Sequence, residues 1–185
     1  MTRYLREILR AGIHTVAWPG ANRDYRMQQS PPELAALCQL LEEEQVRSYL
    51  EIGLGRGGTW TLLSELFDFE RTCGITFDDA LTHRPANGEL FLGGSETPEA
   101  IAWSAARAPF DFILIDGRHE HDAVLEDWGN YRALGRLIGF HDIAGRHKCP
   151  GSRTSWEVVT AEAEWVATFI DPDWPIGIGI VKGLA

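Results

Sequence analysis

The sequence is short of positive charge, and this shortage excludes one large class of protein. Lysine and arginine number 17 against 27 aspartates and glutamates, which gives a formal net charge of −10. Proteins that bind the phosphate backbone of nucleic acids need a basic face. Nucleic acid is therefore not expected as a partner, whereas a small or cationic ligand is compatible with this charge.

Cysteine and long apolar runs are also scarce. The cysteines are Cys38, Cys73 and Cys149, widely spaced and without a C-x-x-C pair. An odd, scattered set of this kind predicts reduced thiols. No apolar run approaches the length of a membrane span, and the first four residues lack the apolar core of a signal peptide. We therefore expect a cytoplasmic protein with no membrane partner.

The length and composition indicate one globular domain. The chain has 185 residues, of which 44% are hydrophobic, enough to bury a full core. We predict an N-terminal arm over residues 1–29 and a single domain over residues 30–185. Within the arm, a short helix is expected at Arg3–Arg10. The aromatic residues Tyr4, Trp18 and Tyr25 indicate that the arm either only packs on the domain or covers a site.

A glycine-rich stretch at Tyr49–Trp60 is the feature around which the rest of the chain is organised. A short apolar run contains Glu51 and then gives way to four glycines within six residues: Gly53, Gly55, Gly57 and Gly58. This pattern predicts a buried strand, a tight turn and the start of a helix. The first turn of a helix offers unpaired N–H groups to a ligand.

Strands and helices alternate along the chain. The predicted strands are Ser48–Ile52, Arg71–Thr76, Glu89–Leu92, Phe110–Ile115, Arg136–Phe140, Trp165–Ile170 and Ile176–Lys182. The predicted helices include Thr59–Phe67, one opening at Thr97, Asp122–Leu134 and, after a loop over Gly145–Arg153, Ser155–Glu164. This alternation predicts an α/β, Rossmann-like, doubly wound sheet of seven strands, mostly parallel. The C-terminal strand should be antiparallel, because the last gap is too short for a crossover helix.

The helix before the first strand has a well-marked beginning. Ser30 is the expected N-cap, Pro31 suits the first helical position, and Glu33 would complete a capping box. Apolar residues then recur at helical spacing, from Leu34 to Leu41. We therefore predict an amphipathic helix that starts at Pro31.

The glycine turn is compatible with more than one nucleotide-type ligand. In a doubly wound sheet, ligands bind beyond the carboxyl ends of the strands. Gly53, Gly55 and Gly58 satisfy G-x-G-x-x-G, with the acids Asp78 and Asp79 further on, so a dinucleotide has to be considered. The carboxylate of Glu51 would repel a pyrophosphate and disfavours this ligand. A P-loop is excluded because no G-K-[ST] follows.

Several ordered motifs resemble one family. The segment Leu50–Gly58 is similar to the first motif, E/D-x-G-x-G-x-G, of class I S-adenosylmethionine-dependent methyltransferases. The segment Phe112–His119, then Asp127, then Gly139–Ile143 resembles the I-D-G-D-H…D…G-G-x-x-x-x-H-D pattern of one branch. That branch contains small-molecule O-methyltransferases related to macrocin O-methyltransferase and cephalosporin-hydroxylase-type proteins. The resemblance extends from Gln28 to the C-terminus.

The resemblance implies S-adenosylmethionine as cofactor. The backbone of the glycine turn would lie against the methionine part, and Glu51 would hold the amino group. Thr76 stands where the family usually has an acid for the ribose, and Ser95 is either an adenine-side contact or a plain turn serine. The implied cofactor-binding residues are Glu51, Gly53, Gly55, Gly57, Gly58, Thr59, Thr76, Asp78, Ser95 and Asp116.

The resemblance also implies a site for catalysis. Asp116, His141 and Asp142 follow adjacent strands, where metal-dependent members of the branch hold an ion such as Mg²⁺. His119 is the best candidate base, with a hydrogen-bonded structural histidine as the alternative. The implied catalytic residues are thus His119, Asp116 and Asp142. Arg118 departs from the family, which often has an acid there, and a guanidinium would oppose a neighbouring cation.

The expected function is the S-adenosylmethionine-dependent O-methylation of a small molecule such as a sugar or secondary metabolite. The departures at Thr76 and Arg118 favour an alternative, a catalytically reduced S-adenosylmethionine-binding or interaction protein. A nicotinamide oxidoreductase is disfavoured by Glu51. The sequence leaves the oligomeric state open, a homo-oligomer included.

Overall fold

Six helices and seven strands make up the part of the chain that the computed structural model describes, residues 1–12, 25, 27–144 and 149–185. The helices are α1 (Arg3–Ala11), α2 (Pro31–Glu43), α3 (Gly58–Phe67), α4 (Pro98–Ala105), α5 (His121–Tyr131) and α6 (Pro150–Glu162). The strands are β1 (Ser48–Ile52), β2 (Arg71–Thr76), β3 (Gly88–Leu92), β4 (Phe110–Ile115), β5 (Gly135–His141), β6 (Val166–Phe169) and β7 (Ile178–Lys182). Trp18 lies outside the described residues, so its predicted packing role stays a prediction.

The strands form one sheet in the order β3-β2-β1-β4-β5-β7-β6. The pairs from β3 across to β5 are parallel, whereas β7 is antiparallel to both β5 and β6. The predicted fold class is therefore confirmed, including the closing antiparallel hairpin. The chain winds outward from β1 to β3 and returns to start β4 on the other side of β1. This reversal opens a crevice beyond the carboxyl ends of β1 and β4.

Helices cover both faces of the sheet, as alternating side chains on each strand require. On one face, Tyr49 of β1 packs in the cluster that contains the apolar residues of α1, α2 and α3, among them Trp60. On the other face, Leu50 packs in the cluster that contains residues of α5 and α6, with α4 packed against it. Within the described residues, no helix has the length and apolarity that crossing a bilayer requires.

The start of α2 corrects one sequence prediction. Ser30 is the N-cap residue, but its side chain makes no capping hydrogen bond and donates instead to Asp171 Oδ2 at 3.0 Å. The carboxylate of Glu33, 2% exposed, accepts from the backbone N–H groups of Asp171, Ile176 and Gly177 at 2.7, 3.2 and 2.8 Å. The predicted capping box is wrong, because the Glu33 carboxylate accepts its hydrogen bonds from the loop between β6 and β7 and not from the start of its own helix.

Two helix boundaries also differ from the sequence prediction. α6 begins at Pro150, in the first helical position, and not near Ser155. The predicted loop Gly145–Arg153 is therefore helical from Pro150 on, while residues 145–148 lie outside the described part. α5 ends at Tyr131 rather than Leu134. The strand β5 then begins at Gly135, which pairs with Phe110 in the sheet.

Candidate active site

A cavity of about 770 Å³ lies beyond the carboxyl ends of the parallel strands. Its size falls within the usual range for small-molecule sites. The loops after β1, β2, β3, β4 and β5 all contribute to its wall. It brings together the predicted site residues, which are distant in sequence: Glu51, Gly53, Gly55, Gly58, Thr59, Thr76, Asp78, Ser95, Asp116, His119, His141 and Asp142.

Gly57 is the one predicted cofactor residue that does not line the cavity. It is the N-cap of α3 with φ of 82°, and a Cβ there would lie 2.0 Å from the carbonyl oxygen of His83. Gly53 is also in the left-handed region, at φ of 89°, and a Cβ there would lie 2.2 Å from the carbonyl oxygen of Asp116. The glycines therefore bring the turn after β1 into contact with the neighbouring loops.

Glu51 is a buried carboxylate with few partners. It is 1% exposed, lines the cavity, and accepts from the Tyr49 hydroxyl at 2.5 Å. No other hydrogen bond to its carboxylate occurs within the described residues. Burial raises the pKa of Glu51 to about 8; the Tyr49 bond opposes the shift and the charge of Asp116 adds to it. A cation in the cavity would favour the ionised form of Glu51 and offset the cost of burying its charge.

Two residues that were predicted to contact the ribose or adenine, Asp78 and Ser95, form hydrogen bonds within the protein. Thr76 is buried at the end of β2, and the exposed Asp78 accepts from the backbone N–H of Ala80 at 3.1 Å. The Ser95 hydroxyl donates to Asp127 Oδ1 at 2.7 Å. This bond favours the plain turn serine for the side chain of Ser95, and the contact of any of these residues with a cofactor stays a prediction.

Arg118 is surrounded by carboxylates. Its guanidinium lies 3.0 Å from Glu126, 3.4 Å from the buried Asp127 and 3.7 Å from Glu96. Three negative groups therefore balance its charge, and the guanidinium opposes a cation in the cavity less than the sequence suggests. Asp127 connects this ion-pair cluster to Ser95 at the cavity wall.

Two acids and two histidines meet where β4 and β5 end. His141 Nδ1 lies 3.0 Å from Asp116 Oδ1 and 3.4 Å from Asp142 Oδ2, and His119 Nε2 lies 2.9 Å from Asp142 Oδ2. Asp142 has φ of 59°, a conformation that costs free energy for a non-glycine residue and is found at functional sites. The donor atoms of Asp116, His141 and Asp142 are close enough together to hold a metal ion.

These charges shift each other's protonation. The carboxylates of Asp116 and Asp142 raise the pKa of His119 to about 10, against the opposing effect of burial. They also hold the pKa of buried His141 above its ordinary value, although burial acts in the other direction. This shift favours the protonated imidazolium form of His119, which has no free lone pair. Its predicted role as base stays a prediction, and it requires a bound ligand to release that proton.

Two residues of the site were missed by sequence reasoning. Gln29 is buried, and its side-chain amide donates to Asp116 Oδ2 at 3.3 Å. Cys149, the residue before α6, lies with His119 and Asp142 in a second group of converging donor atoms. Gln29 had no chemical motif to mark it. Cys149 follows β5 closely in the sequence, but no C-x-x-C or similar ligand spacing marks it.

Comparison with known proteins supports the fold through structure alone. No family model and no curated protein matches the chain. Among solved structures, the O-methyltransferase TomG from Streptomyces achromogenes, involved in tomaymycin synthesis and in complex with S-adenosylmethionine, has a TM-score of 0.62 at 18% identity. That match covers 85% of this chain and 82% of TomG. An O-methyltransferase from Bacillus cereus with S-adenosylhomocysteine has a TM-score of 0.58 at 19% identity, over 84% and 82%.

A further match is the MycE methyltransferase of mycinamycin biosynthesis, in complex with Mg, S-adenosylhomocysteine and mycinamycin VI. It has a TM-score of 0.62 at 18% identity, over 83% of this chain and 49% of MycE, so the present chain spans about half the length of MycE. Together these matches show that the chain has the Rossmann-like fold of these methyltransferases. The fold that the sequence motifs implied is thus confirmed.

Proposed function

We propose that the protein is an S-adenosylmethionine-dependent methyltransferase that methylates a hydroxyl group of a small molecule, such as a sugar or secondary metabolite. One observation carries this proposal: the buried carboxylate of Glu51 lies in the cavity wall beside the glycine turn and has, in the described part of the chain, a single hydrogen-bond donor. Similar folds with S-adenosylmethionine or S-adenosylhomocysteine bound support it.

In this proposal the methionine part of the cofactor lies along the turn at Gly53 and Gly55. Its ammonium group lies beside Glu51, where a charge-assisted hydrogen bond offsets the burial of the carboxylate. The ribose and adenine would extend toward Thr76, Asp78 and Ser95, which line the same cavity. Thr59, in the first turn of α3, completes this wall.

The substrate hydroxyl would lie beyond the sulfur, near Asp116 and Asp142. A divalent cation bound there would lower the pKa of the hydroxyl. The buried ring nitrogens of His141 have no hydrogen-bond partner within the described residues, as expected of a group that awaits a ligand. Mg²⁺, which prefers oxygen ligands, would be held by the two carboxylates. Methyl transfer itself requires the nucleophile, methyl carbon and sulfur to be held in line.

The macrocin O-methyltransferase branch is the finer assignment that we propose. The ordered motifs of the sequence support it, and so does the similarity to MycE in complex with mycinamycin VI. The end of the predicted arm supports a covering role, since Met27, Gln28 and Gln29 line the cavity. A cytoplasmic protein and a homo-oligomer remain expectations of this proposal.

A second candidate is a catalytically reduced S-adenosylmethionine-binding protein. The observation that favours it is the ion pairing of His119, which holds a proton on the predicted base. The two candidates share the cofactor site and differ in turnover. Methyl transfer to a panel of sugar and polyketide hydroxyls therefore separates them.

Isothermal titration calorimetry tests whether the protein binds the proposed cofactor. The protein is titrated with S-adenosylmethionine, S-adenosylhomocysteine and NAD, in wild-type form and as Glu51→Gln. The proposal expects both sulfur compounds to bind and NAD not to bind, with weaker binding by Glu51→Gln. Glu162→Gln, an exposed change on α6, serves as the matched control. Absence of binding by both sulfur compounds at millimolar concentration would exclude the proposed function.

A further inference from the structure

A second group of donor atoms adjoins the carboxylate pair. His119, Asp142 and Cys149 each present one ligand atom, and these atoms lie within 4.8 Å of one another. Asp142 also belongs to the group with Asp116 and His141. Around this shared carboxylate there are therefore oxygen, nitrogen and sulfur donors, from the loops after β4 and β5 and from the start of α6.

The histidine nitrogens in this cluster are close to oxygen atoms without being hydrogen-bonded to them. His119 Nε2 lies 2.9 Å from Asp142 Oδ2, and His141 Nδ1 lies 3.0 Å from Asp116 Oδ1. Both nitrogens are buried, yet within the described residues neither meets the directional requirement of a hydrogen bond. Atoms that are adjacent but do not point at each other are arranged like ligands around a shared ion.

The chemistry of the donors does not match Mg²⁺. Mg²⁺ takes oxygen ligands and retains several waters, so imidazole nitrogen and thiolate sulfur are foreign to it. Zn²⁺ and similar ions bind Cys sulfur, His nitrogen and Asp oxygen together, at distances of about 2.0–2.3 Å. The nitrogen donor of His119 and the sulfur donor of Cys149 therefore favour an ion of the Zn²⁺ type over Mg²⁺.

We propose that this cluster binds a divalent transition-metal ion of the Zn²⁺ type, with His119, Asp142 and Cys149 as ligands and Asp116 and His141 beside it. The inference replaces the Mg²⁺ of the proposed function with a transition-metal ion, and rests on that function for the location of the site. As the ion binds, the thiol proton of Cys149 and the imidazolium proton of His119 pass to solvent, and the sulfur ligates as thiolate. His119 then donates its lone pair to the metal and does not act as the base.

Cobalt(II) provides the test, because it replaces Zn²⁺ and reports its ligands through absorption. The purified, metal-free chain is titrated with Co²⁺ in the absence of S-adenosylmethionine. The inference expects one equivalent to bind, with thiolate-to-cobalt charge-transfer absorption in the near ultraviolet. Zn²⁺ should abolish this absorption in stoichiometric amounts, and Mg²⁺ should leave it intact even in large excess.

Two variants make the assignment specific. Cys149→Ser should lose the charge-transfer band and weaken Zn²⁺ binding by more than the roughly 10- to 100-fold typical of an outer-shell change. Cys73→Ala removes a buried thiol of β2 and should leave both unchanged. Circular dichroism of each variant verifies that it is folded.

Absence of a charge-transfer band in folded protein would overturn the inference, and so would a band that survives in Cys149→Ser. Displacement of Co²⁺ by equimolar Mg²⁺ would do the same. These failures are separate from failure of the proposed function, which the calorimetric titration with S-adenosylmethionine decides. A chain that binds the cofactor but shows no cobalt–thiolate band retains the proposed function and loses only the transition-metal site.

Discussion

Two buried glutamates, one at the start of α2 and one at the end of β1, show how similar side chains serve different purposes. Glu33 and Glu51 are 2% and 1% exposed, and burial raises the pKa of both. Glu33 accepts three backbone hydrogen bonds from the loop between β6 and β7. Among the described residues, only Tyr49 donates a hydrogen bond to Glu51, which lines the cavity.

The number of donors distinguishes a structural carboxylate from a binding one. A buried charge is costly unless hydrogen bonds or an opposite charge compensate it. Glu33 receives that compensation within the fold, so it ties α2 to the C-terminal hairpin. Glu51 does not, and its compensation has to come from the cavity. A ligand cation is the simplest source, which is why the comparison supports an ammonium-bearing cofactor.

The largest expected effect is on stability, from Glu33→Gln. An amide retains one oxygen acceptor and turns an N–H₂ group toward backbone donors, which leaves buried N–H groups unpaired. We expect a loss of about 3 kcal/mol in the free energy of unfolding. Denaturant titration with circular dichroism measures it, with Glu51→Gln as the matched comparison. A loss below about 0.5 kcal/mol, the usual range of surface changes, would contradict the structural role.

Glu51→Gln should weaken cofactor binding without lowering stability. It exchanges a costly buried acid for a neutral amide that can still accept from Tyr49, so stability should be unchanged or higher. Binding of S-adenosylmethionine should weaken by about 10- to 100-fold, the equivalent of one charge-assisted hydrogen bond. Isothermal titration calorimetry measures this change. Equal affinity in the variant would remove Glu51 from the cofactor site.

Gln29 adds a third carboxylate to the comparison, because its neutral side chain donates to Asp116 in the cavity. Its amide holds Asp116 Oδ2, and its own Oε1 is buried without a partner within the described residues. Gln29→Ala should weaken metal binding by about tenfold, as loss of an outer-shell partner does. Affinity for S-adenosylmethionine should be retained. A fall in cofactor affinity with unchanged metal affinity would mean that Gln29 supports the cofactor site and not the metal site.

Asp111 extends the comparison to a carboxylate at the opposite end of β4. It accepts from the backbone N–H groups of Arg47 and Ser48 and from the Ser48 hydroxyl, at 2.9–3.0 Å. Burial acts to raise the pKa of Asp111, but these bonds and the charge of Arg136 outweigh it, so the net shift is downward. The stability contributed is present above the ordinary pKa of aspartate and lost as the pH falls through the lower folded value.

Asp111→Asn should therefore cost about 1 kcal/mol at neutral pH, since the side chain is partly exposed. The difference from wild type should shrink as the pH falls toward that lower folded-state value. Urea titrations across this acidic range measure it. A difference that stays constant with pH would mean that the charge of Asp111 contributes nothing.

The sequence was informative wherever one local pattern dominated. The strand before the glycine turn, the run at Phe110–Ile115 and the short gap before the last strand each had a single physical solution, and together they predicted the sheet. Ser30 and Glu33 show the limit. Their local pattern is that of a capping box, but a loop more than a hundred residues away provides their partners.

The site was predictable to a similar degree. Residues that directly follow strands could be assigned to one crevice, because topology alone brings strand ends together. The contacts of Gln29 and Cys149 with Asp116 and Asp142 depend on how the arm and α6 pack, and no spacing in the sequence encodes this. The raised pKa of His119 likewise depends on two carboxylates whose distances only the fold determines.

A crystal structure of the protein soaked with S-adenosylhomocysteine would show whether Glu51 holds the cofactor. The ligand should lie in the cavity, with its amino group at hydrogen-bonding distance, about 2.7–2.9 Å, from the Glu51 carboxylate. Its sulfur should face the end of the cavity formed by Asp116 and Asp142. A ligand bound elsewhere, or one in the cavity whose amino group does not approach Glu51, would contradict this role of Glu51.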